Sequence, residues 1–115
     1  MTTLRQLLAD KKTVFQVDER KEVLAFIKAN PAVIPLIKEA IPRIRKKFGD
    51  DVDFGLELFN EGFDPDETML FLKVLSALPP EVEMKKFEEL CFEWWLLARR
   101  PVGSKLNIMP ASKRN

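Results

Sequence analysis

Apolar and polar positions follow two different periods along this chain, and the change from one to the other divides it. From Asp18, a favourable N-cap, "DERKEVLAFIKAN" sets Val23, Leu24 and Ile27 on one side of a helix that Asn30 and Pro31 close. In "PAVIPLIKEAIPRIRKKFG", Val33, Ile37, Ile41, Ile44 and Phe48 recur at spacings of four, four, three and four, which predicts an amphipathic helix. Pro35 and Pro42 fall on its polar side, where the lost backbone bonds turn to water and a bend around a core is expected. Gly49 stands where a helix C-cap glycine belongs.

The period then becomes two. "VDFGLELFNE" places Val52, Phe54, Leu56 and Leu58 on one face of a strand, with Asp53, Gly55 and Glu57 on the other. After the turn residues of "GFDPDE", the second strand "TMLFLKVLSAL" points Leu70, Leu72 and Val74 inward. Its reverse face carries Met69, Phe71 and Leu75, broken only by Lys73, and a strand apolar on both faces predicts cover on both sides. Pro79 and Pro80 open the longest helix, with Glu81 and Glu83 at its positive end and Arg99 and Arg100 at its negative end. Leu106 and Ile108 read as a short third strand, and "ASKRN" as a fraying tail.

The predicted class is α+β: N-terminal helices, then β-β-α-β, with a three-stranded, mostly antiparallel sheet packed on the helices. A right-handed crossover lays the third strand parallel to the second, and the free side of the first strand is its simplest place, giving the order 2-1-3. Residues 18–115 form one domain, and residues 1–17 an N-terminal arm or short helix. In that arm Thr3 and Gln6 make a capping-box pattern and Leu4, Leu7 and Leu8 line one side.

Trp94 and Trp95 stand side by side in the last helix. At about 100° per residue, Phe87, Leu90, Cys91, Trp94, Leu97 and Ala98 share the sheet-facing side, while Phe92, Trp95 and Leu96 form a second apolar strip on the side that should be polar. Two readings of that strip stay open. Either the chain's own N-terminal segments cover it, or a second copy or another protein does.

Composition narrows the functions. The 115 residues suit one domain without disulfides. A net charge of +1, from 19 basic and 18 acidic residues, supplies no global field for nucleic acid or an anionic membrane. No run approaches the length of a membrane span, the opening "MTTLRQLLADKK" has no signal-peptide core, and the single cysteine suits a reducing compartment, so a cytoplasmic location is expected. The chain has neither histidine nor tyrosine. Histidine-activated nucleophiles and most zinc sites are thereby excluded, and neither an enzyme nor a cofactor is expected.

Among the remaining chemistry, Asp50, Asp51 and Asp53, and likewise Asp64, Asp66 and Glu67, lack the calcium-loop pattern and read as turn and cap residues. Arg43, Arg45, Lys46 and Lys47 crowd the end of one helix and Arg99, Arg100 and Lys105 one loop, which would suit an acidic partner or RNA if the two spots adjoin. Cys91 has no base to activate it and reads as buried. Glu88, Glu89 and Glu93 read as a solvated side supported by Lys85 and Lys86.

The frame "NPAVIPLIKEAIPRIRKKFGDD", a hairpin, then "FEELCFEWWLLARRPVGSKLNI" resembles a group of short bacterial α+β proteins that share a proline-punctuated helix and a "WWL…GKL" ending. The likeness spans about residues 20–109, judged from motif spacing. It departs at Leu97, where an acidic residue is expected, and at Ser104, which separates Gly103 from Lys105. The group carries no assigned function, so the resemblance implies a fold and no activity. The expected function is a non-enzymatic, cytoplasmic protein-interaction module that self-associates, most simply as a dimer, through Phe92, Trp95 and Leu96. A nucleic-acid-associated or antitoxin-like regulator using Arg43, Arg45, Lys47, Arg99 and Arg100 is the alternative. A carboxylate-based metal protein or enzyme built on Asp50, Asp51 and Asp53 is the third.

Overall fold

The structure, a computed structural model, describes residues 15–17, 20–60, 62, 64 and 67–112. The short helix expected around Leu4–Leu8, and Asp66 of the second acidic cluster, lie outside those residues.

The helices form where the apolar stripes predict them. α1 (Arg20–Ala29) buries Val23 and Ile27. α2 (Val33–Phe48) buries every residue of its predicted stripe together with Ile34 and Ala40, and leaves Pro35 and Pro42 at the surface. Gly49 ends α2 at φ 107°, donating its N–H to the Arg45 carbonyl at 2.8 Å; a Cβ there would stand 2.9 Å from an Asp51 carboxylate oxygen.

The sheet is mixed. β2 (Asp53–Phe59) and β3 (Met69–Ser76) form the expected antiparallel hairpin, and β4 (Leu106–Ser112) pairs parallel to β3. A three-residue strand, β1 (Phe15–Val17), precedes the helices and pairs parallel to β2. The order is β1-β2-β3-β4. This corrects the predicted 2-1-3 arrangement and its mostly antiparallel character. The edge of β2 is already occupied by β1, so β4 goes to the free edge of β3. There its inward Leu106 and Ile108 fall opposite Leu70 and Leu72, and all four are buried. β4 also continues through Ala111 and Ser112, which the sequence reading placed in the tail.

α1, α2 and the last helix, α3 (from Pro80), all contribute to one core over the face formed by Phe54, Leu56, Leu70, Leu72 and Val74. The reverse face is not sealed in the same way. Met69, Phe71 and Leu75 are half-buried and Phe59 is exposed. An edge-on Phe59–Phe71 contact at 5.8 Å and a Lys73–Glu57 ion pair at 2.8 Å organise it. The expectation of full cover on both faces therefore holds for the helix side only.

α3 crosses from β3 to β4 in three parts: α-helical Pro80–Leu90, a π-helical turn Cys91–Trp95, and α-helical Leu96–Ala98. A buried hydrogen bond pins its beginning, from Ser76 Oγ to Glu83 Oε2 at 2.6 Å. Glu83 is thus more than a complement to the helix dipole; it ties the first turn of α3 to the end of β3.

Candidate functional site

The π turn decides which residues of α3 face water. In it the Leu96 N–H reaches back five residues to the Cys91 carbonyl, so the chain turns about 80° per residue instead of about 100°. Measured from Leu90, which is buried, Trp94 and Trp95 then fall about 30° to one side and about 50° to the other. Both face inward, at 9% and 3% exposure. On an unbroken α-helix Trp95 would lie about 140° from Leu90. That accounts for the adjacent tryptophans: one wide turn brings two neighbouring indoles onto one side.

The same turn rearranges the outer side. Trp95 is withdrawn from the expected Phe92–Trp95–Leu96 strip and belongs to the chain's own core. Leu97, predicted to face the sheet, is 64% exposed. Phe92 stays outside at 80% exposure and Leu96 at 47%. Around the π turn the exposed apolar residues are therefore Phe92, Leu96 and Leu97, while Val82 and Met84 are exposed nearer the start of α3. Phe92 and Leu96 both lie about 150–160° from Leu90, and Glu88, one turn before Phe92, falls on the same line.

Beside this surface, α2 and α3 are joined by charges. Glu39 Oε1 accepts the Trp94 indole N–H at 3.2 Å and an Arg43 guanidinium N–H at 3.3 Å, while the guanidinium lies 5.0 Å from the Trp94 ring centre. Lys47 donates to Glu93 at 2.9 Å and to Glu89 at 3.2 Å. Glu89 and Glu93 thus work across helices through Lys47, a tertiary arrangement that the expected support from Lys85 and Lys86 did not contain. The hydrogen bond to Glu93 is the main cause holding the Lys47 ammonium above its ordinary value, opposed by desolvation and reinforced by Glu89. A cavity of about 370 Å³ lies here, lined by Arg43, Lys46, Lys47, Leu90, Glu93 and Trp94.

Three of the five cations of the nucleic-acid reading are engaged within the chain. Arg43 and Lys47 hold carboxylates, and the Arg45 guanidinium lies 5.6 Å from the Phe54 ring centre. Arg99 and Arg100 are not among the residues lining the cavity. Arg99 is half-buried close to Cys91, whereas Arg100 is exposed just beyond the helix. Desolvation raises the Cys91 thiol above its ordinary value against the opposing pull of Arg99, which keeps it protonated and poorly nucleophilic.

Asp50, Asp51 and Asp53 are exposed around the start of β2, and among the described residues no three acidic or cysteine side chains converge as metal ligands would. No helix among the described residues is long and apolar enough to cross a membrane. Neither a family model, nor a curated protein, nor a solved structure matches the chain.

Proposed function

We propose that this protein is a non-enzymatic, cytoplasmic interaction module that self-associates through the outer side of α3. The observation that carries the reading is the 80% exposure of Phe92, flanked by exposed Leu96 and Leu97, on a helix whose two tryptophans are already buried. A rigid helix that leaves its largest free aromatic residue in water has surface fitted for a protein partner. The polarity of the helix favours a second copy as that partner. Glu88 stands before the apolar residues and Arg100 after them, so the side is complementary to an inverted copy of itself.

The resemblance to short bacterial "WWL…GKL" proteins fits the reading but adds no activity to it. The nucleic-acid alternative is weakened by the carboxylates that engage Arg43 and Lys47. Among the described residues, no grouping of acidic side chains adds support to the metal alternative.

Sedimentation velocity across a concentration series tests the proposal. The wild-type chain is expected to associate, and Phe92→Asp to stay folded and monomeric. A wild-type monomer at about 1 mM, far above the ordinary range of specific contacts, would dismiss it. An RNA or DNA mobility shift that disappears with rising salt would move the function to the basic alternative.

A further inference from the structure

A line of four exposed side chains runs along α3 at intervals of four residues: Glu88, Phe92, Leu96 and Arg100. Four residues advance about 40° beyond a full turn on an α-helix, so such a line would normally wind around the rod. Across a π turn four residues fall about 30° short of a full turn, and the two drifts oppose each other. Glu88, Phe92 and Leu96 therefore lie within about 10° of one another, on the side opposite buried Leu90. Arg100 follows in the turn that ends the helix. The line is about 18 Å long, acidic at one end, apolar in the middle and basic at the other.

From this order we infer that two copies pair through α3 as antiparallel helices, around a two-fold axis that passes level with Trp94. The register follows from the four residues. Phe92 of each copy meets Leu96 of the other, and Glu88 of each meets Arg100 of the other. An isologous contact of this kind is self-complementary and closes at two copies. A parallel pairing would set Glu88 against Glu88 and Arg100 against Arg100, so the charges select the antiparallel arrangement. Neither of these two charges serves a described ion pair, unlike Glu89 and Glu93, which Lys47 holds. Leu97, 64% exposed, flanks the contact and widens it.

Size sets the strength. Phe92, Leu96 and Leu97 present roughly 350 Å² of apolar surface per copy, less than half of the ~800 Å² per partner of a standard stable interface. A contact of that size belongs to the weak, transient class.

This arrangement rests on the self-association reading, and complementary charge exchange separates the two. Glu88→Arg places two cations together at each end of the contact, and Arg100→Glu two carboxylates. Each variant alone is expected to weaken the dimer roughly three- to tenfold at low salt. Mixed in equal amounts they restore every opposite-charge pair, so the heterodimer should form at least as tightly as the wild-type homodimer. Circular dichroism establishes that both variants, changed only at exposed positions, are folded. If Phe92→Asp abolishes association while the mixture associates no better than either variant alone, the antiparallel register is wrong and self-association stands. If the wild-type chain remains monomeric at about 1 mM, both fall together.

Discussion

Substituting alanine for Trp95 and, separately, for Phe92 measures directly which side of α3 is inside. Trp95 is 3% exposed, so folding removes nearly all of its roughly 250 Å² from water. At about 25 cal/mol per Å² that burial is worth up to about 6 kcal/mol, and Trp→Ala substitutions in cores commonly cost about 3–5 kcal/mol. Phe92 is 80% exposed and hides only about 40 Å², so its truncation should cost about 1 kcal/mol or less. On a regular α-helix the difference would largely vanish, because Trp95 would then stand outside as Phe92 does. Urea unfolding followed by far-UV circular dichroism at about 1 µM, where the weak dimer is dissociated, gives both values for the monomer. A chain of this length has about 6–17 kcal/mol of total stability, so Trp95→Ala should leave a measurable transition. Costs for the two variants within about 1 kcal/mol of each other, or a larger one for Phe92→Ala, would refute the assignment of faces and the π-helical account beneath it.

Two further outcomes test the connections around α3. Ser76→Ala removes the donor to buried Glu83 and should cost about 1–3 kcal/mol by chemical denaturation, whereas an equivalent exposed substitution, Ser104→Ala, should change little. Lys47→Met should lose a small, pH-dependent contribution. Because the folded-state value of Lys47 is raised, its stabilisation is fully present below the ordinary lysine value of 10.5 and is lost as pH rises through the folded value. The gap between the unfolding midpoints of wild type and variant should therefore close only in strongly alkaline solution, and a gap unchanged through that range would contradict the Glu93–Lys47–Glu89 bridge.

Much of the architecture was legible because burial follows simple periods. The stripe from Val33 to Phe48 and the alternation through Leu70, Leu72 and Val74 each admit one amphipathic geometry, and those residues fill the core. Strand order was not legible. Phe15–Val17 is too short to carry a pattern, yet by occupying the edge of β2 it sends β4 to β3. The ion pairs from Lys47 were equally hidden, since they join residues more than forty positions apart and no local spacing reports them.

For the candidate site the division is sharper. Composition removed histidine chemistry, and the apolar run from Trp94 to Ala98, with Cys91 and Phe92 just before it, marked α3 as carrying more apolar residues than a single helical face accommodates. The sequence by itself determined that excess, the amphipathic helices and the hairpin. Only the tertiary structure decided which residues remain outside. Fitting both indoles against the core requires one turn of α3 to widen, and that widening carries Trp95 in, turns Leu97 out, and leaves Phe92 and Leu96 in line. A helical wheel assumes a constant angle per residue, and here packing sets the angle.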